Sequence, residues 1–432
     1  MHRKAYRASA VNYVNEAELT SGREGQSLLV GVDVGKYEMM AVGRWSDGDW
    51  ERPWRVGNPE QIPALVALLV RLAQDRRVTV ALEPSGTYGD ALRQALSDAG
   101  IAVQRVSPKA AHDYAEVFDG VPSQHDGKDA AVVAELAAHG KCSPWPYRAP
   151  EGWEQSLSRW VDWMDAQRQI EVMWLGRIEA LLARHWPEAT RVLKKRSSPT
   201  LLRALATYGS PAALAADAQA DARLASWGRS FLKAEKRQQL LASAAHTVGV
   251  RVGAGEQRRI KAYAKRALAA RRQVQRAQKR LRRLARGQAV MQAQGRAVGM
   301  GTACVLWTYL GDPRQYTSGP AYRKAMGLNL TERSSGIYQG QLKISKRGPG
   351  AVRRWLYLAA LRLVGQGGLR AWYRAKKRRA GGKKSKRIVV AVMRRLPLAL
   401  YQVSVRQTVF DVRKLFPGKQ RKAAEPIGAQ RR

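Results

Sequence analysis

Cysteine is nearly absent from this 432-residue chain: Cys142 and Cys304 are the only two. They are too few for a disulfide framework or a cysteine-rich zinc site, which suits a reducing compartment. Long hydrophobic runs are missing as well. No stretch of about 18 apolar residues offers a membrane span, and the N-terminus, MHRKAYRASAVNYVNEAELT, has no apolar core of the signal-peptide kind. A cytoplasmic protein with no membrane association is therefore expected. No internal repeat of 20–50 residues is evident, which argues against a solenoid or propeller. Acidic residues are also scarce, but only in part of the chain.

That uneven scarcity is the first positive signal. The whole chain carries 76 Lys+Arg against 34 Asp+Glu, a formal charge of +42 and a pI near 11.0. Residues 1–141 hold 16 basic and 19 acidic side chains, and residues 142–432 hold 60 and 15. No acidic residue lies between Glu256 and Asp312, nor between Glu332 and Asp411. Surfaces of one sign on this scale repel themselves unless a polyanion neutralises them, so a nucleic-acid partner is expected for the second part. The acidic first part is a different kind of module.

A chain of this length divides into several domains. Residues 1–26 are mixed and polar and are taken as an N-terminal extension. The run SLLVGVDVG predicts a buried strand and MMAVGRW a second one after a tight turn. QIPALVALLVRLAQ has helical periodicity, VTVAL is a short strand, TYGDALRQALSDAG a helix closed by Gly100, and IAVQRV another strand. This order predicts an α/β domain with a mixed sheet over residues 27–145. It ends after the helix DGKDAAVVAELAAHG, at the Pro- and Trp-containing SPWPYRAPEG.

Residues 146–290 are expected to be helical and basic. Trp153, Trp160, Trp163, Trp174 and Trp186 suit a core, while Arg159, Arg168 and Arg177 among them suit a phosphate backbone. Residues 191–255 are Ala-rich and carry no chemical signal. From Arg258 to Arg286, Ile260, Ala264, Ala267, Val274, Ala277, Leu281 and Leu284 form a coiled-coil-like stripe under a dense Arg/Lys coat. Such an arm can pair with its copy or lie along nucleic acid. A mainly α domain over 291–415 and a basic tail over 416–432 complete the division.

Asp33 sits inside a strand that is otherwise apolar, where an uncompensated charge is costly. Gly31-x-Asp33-x-Gly35 suits a divalent metal, a phosphate-binding strand turn of the sugar-kinase and actin-like ATPase kind, or a carboxylate that caps a turn. Glu83 directly follows VTVAL at a strand-to-helix junction, where open α/β sheets commonly place their sites. Asp126 and Asp129 are three apart at a helix start, hence on one face. Helix capping and complementation of the helix dipole are the plain alternative for them. Together the four carboxylates make a hard oxygen site suited to Mg²⁺ and to in-line phosphodiester displacement. His112 and His125 stand nearby and are left out of the metal set, because a lone His is more often a surface or hydrogen-bonded residue.

These residues bring in a family. The chain resembles the transposases of the insertion-sequence-110 family, bridge-RNA-guided recombinases that join an N-terminal RNase-H-like domain to a C-terminal serine-bearing transposase domain. The resemblance covers most of residues 27–365. It rests on GVDVGK around Asp33, LEPSGTYGDAL around Glu83, VQRVSPKAA, HDGKDA around Asp126 and Asp129, AVGMGTACVLWTYLGDPRQYTSGPAYRKAMGL, TERSSG, and GQLKISKRGPGAVRRWLYLAA. Two departures stand out. Gln124 and His125 replace a Lys or Arg followed by Thr or Asn, and the family's Pro-Gly-x-Gly hairpin is Val298-Gly299-Met300-Gly301. Both glycines of a helix-hairpin-helix remain.

The resemblance implies a serine nucleophile in SSG, taken as Ser335 over its neighbour Ser334, with Mg²⁺ on Asp33, Glu83, Asp126 and Asp129. It also implies donor and target DNA, a structured guide RNA, and a homo-oligomer, dimer or tetramer, in a nucleoid-associated setting. Read without it, Thr331, Ser334, Ser335 and Gly336 make a polar turn, and no His or Asp close in sequence supplies a base. Arg333, Lys343, Lys346, Arg347, Arg353 and Arg354, with Gly348 and Gly350 for close backbone approach, are expected to position DNA. Two other functions fit the same residues in part. A metal-only nuclease or junction resolvase needs the carboxylates and not Ser335, and a non-catalytic nucleic-acid-binding protein needs neither.

Overall fold

A computed structural model describes residues 8–84, 86–120, 125–148, 152–193, 197–332, 340, 342–365, 367–382 and 385–416. The chain divides into two units, Met1–Ala149 and Pro150–Arg432.

The strands of the first unit are β1 (Ser9–Ala10), β2 (Leu28–Val34), β3 (Glu38–Trp45), β4 (Trp54–Gly57), β5 (Val78–Leu82), β6 (Ala102–Val106) and β7 (Cys142–Pro144). Its helices are α1 (Glu16–Thr20), α2 (Ile62–Leu72), α3 (Asp90–Asp98), α4 (Pro108–Asp119) and α5 (Asp126–Ala138). They build one mixed sheet in the order β1-β4-β3-β2-β5-β6-β7. The strands β2, β5 and β6 run parallel, and β3 is antiparallel to both of its neighbours. Helices cover both faces, so the central strands are apolar on both sides, as parallel strands between two helical layers are. Leu28, Val30 and Val32 pack with Leu65, Leu69, Leu92 and Leu96, in the core that α2 and α3 complete. The opposite face meets α4 and α5 through Ala81, Val106, Ala111, Val132 and Val133.

The expected strands and helices are all present, and α4, β7, β4 and an N-terminal segment are added to them. WRVG is too short to display an alternation, yet it forms β4 beside β3. Within the stretch taken as an N-terminal extension, the described residues from 8 onward pack with the unit. Ser9 and Ala10 pair with Trp54 and Arg55, and Val11 and Leu19 are buried in the core. The open edge of β4 offers unpaired backbone groups, and the passing chain satisfies them.

The second unit is mostly helical. It contains α6 (Gly152–His185), α7 (Glu188–Leu193), α8 (Pro199–Tyr208), α9 (Pro211–Ala215), α10 (Ala220–Gly228), α11 (Ala234–Ala245) and α12 (Ala254–Leu284). These are followed by α13 (Ala289–Val298), α14 (Met300–Leu310), α15 (Gly319–Ala325), α16 (Gly350–Gly365), α17 (Gly367–Arg379) and α18 (Ser385–Arg406). A two-stranded ladder, β8 (Leu330–Thr331) with β9 (Lys343–Ile344), lies between α15 and α16.

The helices α6 and α12, 34 and 31 residues long, pack antiparallel. Leu157, Val161 and Met164 share a core with Val274, Ala277 and Leu281, while Trp174, Ile178 and Leu182 share one with Ile260, Ala264 and Ala267. Midway, the buried Glu171 accepts from Arg271 at 2.9 Å and from Arg168 at 2.5 Å. The small Ala-rich seam of α12 thus lets α6 of the same chain approach closely, and it is not free to pair with a second copy. Trp174 and Trp186 are buried as a core requires, whereas Trp163 is 45% exposed. Arg177 lies over the Trp174 ring at 4.9 Å. Helix α18 is long and apolar enough to cross a membrane by length and composition alone. It is instead a core helix, burying Val389, Val392, Leu396 and Leu400.

Candidate active site

The four carboxylates are brought together by sheet register and one close helix. Val32 of β2 is paired with Leu82 of β5 in parallel register. The next residue on each chain is therefore Asp33 and Glu83, side by side at the carboxyl edge of the sheet, where α/β sites form. In β2, Leu28, Val30, Val32 and Val34 are buried on one face, so Asp33 points to the other, the face that carries α5.

Gly31 decides how near α5 comes. A β-carbon there would collide with the Ala130 carbonyl and would lie 2.5 Å from the backbone nitrogen of Ala134. With Gly in the strand and Gly127, Ala130, Ala131 and Ala134 buried on the helix, α5 lies directly on β2 and β3. Its first turn, with Asp126 and Asp129, then stands over the strand ends.

Capping does not account for these aspartates. The N-cap is His125, whose Nδ1 accepts from the backbone N–H of Lys128 at 3.2 Å. The imidazole Nδ1 thus stands where a Thr or Asn oxygen does at a helix start, and the two carboxylates of the first turn are spared that duty. Lys128 is itself buried, its Nζ 2.6 Å from Asp119 at the end of α4, which ties α4 to the start of α5.

The electrostatics follow from this packing. Burial pushes the Asp33 carboxyl up to about 6, and the negative charges of Asp129, Asp126 and Glu83 add to it. Burial, then Asp129, raises Glu83, against the opposing influence of His112. Burial, then Asp126, raises Asp129, while His125 and Lys128 pull it down. The nearby cationic groups do not outweigh burial and mutual repulsion at these half-buried carboxylates, and a hard divalent cation is the species such oxygen donors fit. Among the described residues no three His, Cys, Asp or Glu side chains are closed around a cation position.

In the second unit, α13 and α14 meet at Gly299, which has φ +83°. Lys343, Lys346 and Arg347 are exposed around β9. Arg353 donates to the carbonyls of Gly348 (2.5 Å) and Met326 (3.5 Å). Arg354 pairs with Asp165 at 2.7 Å. Gly348 gives its space to the chain itself, since a β-carbon there would lie 2.8 Å from the Gly327 nitrogen. Arg333, Ser334, Ser335 and Gly336 fall outside the described residues.

Two family models match the chain. One, described as a transposase of the DEDD type in the insertion-sequence-110 group, matches residues 30–160. The other, described as Transposase IS116/IS110/IS902 family, matches residues 288–374. Together they span half of the chain. It belongs to the insertion-sequence-110 family of transposases. No curated protein matches the chain.

The first match includes all four carboxylates, and the second includes the Gly299 hairpin, TERSSG and the basic residues around β9. As a transposase the protein cuts and rejoins DNA of an insertion sequence. Sequence reasoning named His125 only to leave it out of the metal set and passed over Lys128, and these two set the start of α5. The signal available for His125 was its place one residue before an acidic first turn. Nothing local marks Lys128, because its partner Asp119 lies on another helix.

Proposed function

We propose that this transposase recombines DNA through a phosphoserine intermediate, with Asp33, Glu83, Asp126 and Asp129 of an RNase-H-like domain holding Mg²⁺ against the scissile phosphate. The observation that carries the reading is the convergence of the four carboxylates at the β2/β5 edge, where each raised group is raised in part by another of the set. The RNase-H-like assignment is supported by the central strand order β4-β3-β2-β5-β6, with β2, β3 and β4 antiparallel and β2, β5 and β6 parallel.

When bound, the metal polarises the phosphate and offsets charge on the attacking and leaving oxygens. The Ser335 Oγ forms a bond to phosphorus as the bond from phosphorus to the leaving sugar oxygen breaks, and the serine proton passes to solvent or to that oxygen. The phosphodiester energy is kept in the Ser335–phosphate link, and a sugar hydroxyl from the second DNA takes the phosphate back. Lys343, Lys346 and Arg347 suit the DNA backbone, being exposed cations next to the Ser335 segment in sequence. A structured guide RNA selects donor and target. The transposase works as a homo-oligomer, dimer or tetramer, through surfaces other than the α12 seam.

The test is adduct trapping on an element end. Wild type forms a protein–DNA link that survives denaturation and requires Mg²⁺. Both Ser335→Ala and Asp129→Asn lose it. RNase treatment of the purified protein abolishes recombination. Full recombination by Ser335→Ala would return the carboxylates to metal-only cleavage.

A further inference from the structure

The sheet edge that carries Asp33 and Glu83 is poor in cations. Residues 1–141 hold 16 basic side chains against 19 acidic ones, so the unit as a whole does not draw a nucleic-acid strand towards this edge. Between β2 and β3, and again from Glu83 to the start of α3, Lys36 is the one Lys or Arg. Two cations near the edge are engaged: Lys128 is buried on Asp119, and Arg55 lies 3.7 Å from Glu38. A metal on the carboxylates binds one phosphate. The nucleotides beside it need a different kind of hold.

What the two loops expose is aromatic. Tyr37, in the β2–β3 turn, is 74% exposed, and Tyr88, on the loop after Glu83, is 49% exposed. Neither ring serves the core, yet the backbone under each is fixed. The side-chain amide of the buried Asn58 donates to the Gly35 carbonyl at 2.9 Å and to the Tyr88 carbonyl at 3.3 Å. Its backbone N–H donates to the Tyr37 carbonyl at 2.9 Å. Gly89 seats the second loop on β2, since a β-carbon there would lie 3.3 Å from the side chain of Val34, the residue after Asp33. The Lys36 ammonium stands 4.7 Å from the centre of the Tyr37 ring, so the single cation and this ring share one surface. Rings with few torsions on a fixed backbone lose little entropy when a flat partner covers them.

We propose that Tyr37 and Tyr88 stack on nucleobases of the DNA strand cut at the carboxylate edge, holding the nucleotides beside the scissile phosphate where the unit offers almost no cation. It rests on the reading of that edge as the DNA-cutting site, and on nothing assigned to Ser335. Every base has a π-face, so this hold is tolerant of sequence and leaves selection of the site to other contacts. A base that meets a tyrosine ring has left its neighbour in the duplex stack, so the strand is opened at the cut.

The experiment is photochemical. Full-length transposase, as purified, is bound in Ca²⁺ in place of Mg²⁺ to element-end DNA that carries 5-iodouracil in turn at each position near the cut. After irradiation the cross-linked peptides are identified by mass spectrometry. Cross-links at Tyr37 and Tyr88 are expected, and equally in Ser335→Ala, so a failure of the serine chemistry leaves this readout intact. In Mg²⁺, Tyr88→Ala is expected to cleave roughly ten- to a hundredfold more slowly with an unchanged thermal midpoint, and Tyr88→Phe to recover most of that loss. The loss in Tyr88→Ala should be the same at low and high salt, because no phosphate charge is involved. Cross-links confined to the second unit, wild-type cleavage by the Tyr37→Ala/Tyr88→Ala double variant, or an equal loss in Tyr88→Phe and Tyr88→Ala overturns the proposal. Adduct formation by wild type alongside any of those results leaves the phosphoserine reading in place.

Discussion

Replacing Asp33 by Asn should make the metal-free transposase more stable and inactive at once. The Asp33 carboxyl titrates at about 6 in the folded protein against an ordinary 3.8. Between those pH values the folded chain keeps a proton that the unfolded chain has released, so folding stability falls as pH rises through this window and stays lower above it. The difference corresponds to about 3 kcal/mol. Asp33 is only half-buried, and solvent screening reduces this to about 1–2 kcal/mol. Glu83 and Asp129 are displaced the same way, and their contributions carry the same sign.

In EDTA, Asp33→Asn should therefore equal wild type near pH 4 and exceed it by about 1–2 kcal/mol at pH 8. Mg²⁺ should stabilise wild type at pH 8 and stabilise the variant much less. The two units need not unfold together, so a single global transition does not isolate the effect. Hydrogen exchange of the β2 amides at Val30 and Val32, followed against urea, reports on the first unit alone. An Asn variant less stable than wild type at pH 8, or an equal response of both proteins to Mg²⁺, would refute the reasoning that burial and mutual repulsion outweigh the nearby cations at these carboxylates.

Three further substitutions probe what holds the sites. Gly31→Ala inserts a methyl group against the Ala130 carbonyl, and should cost about 1–3 kcal/mol in urea unfolding while removing DNA cleavage, since α5 must lift from β2. Wild-type cleavage by Gly31→Ala would show that the Asp129 position does not depend on this contact. Lys128→Met takes the buried ammonium away from Asp119 and should cost about 3–5 kcal/mol, with much of the loss regained in Lys128→Met/Asp119→Leu, a pattern that a double-mutant cycle measures. Glu171→Ala leaves Arg168 and Arg271 facing each other midway along the α6–α12 pair. It should lower the thermal midpoint of the second unit by an amount that added salt partly restores.

Much of the first unit was legible because its signals are local. The alternation and β-branched runs of β2, β3 and β5 lie within single stretches, and Asp33, Glu83, Asp126 and Asp129 each stand out against apolar or helical neighbours. What stayed hidden depends on partners distant in sequence. Four residues of β4 mean little until β3 lies beside them, and Ser9 and Ala10 become strand only because β4 has an open edge. The stripe on α12 was visible, but a stripe does not name its partner, and the helix that fills it begins about a hundred residues earlier. The arginines show the same limit from the side of function. Counting basic residues ranks Arg354 and Arg282 alike, whereas Asp165 neutralises the first and no described carboxylate meets the second. Charge in sequence measures how much polyanion a surface can hold, and only the pairing of each guanidinium says where. Gly31 joins both lessons: in the strand it reads as a loss of packing, and in the fold it is the space through which α5 brings Asp129 to Asp33.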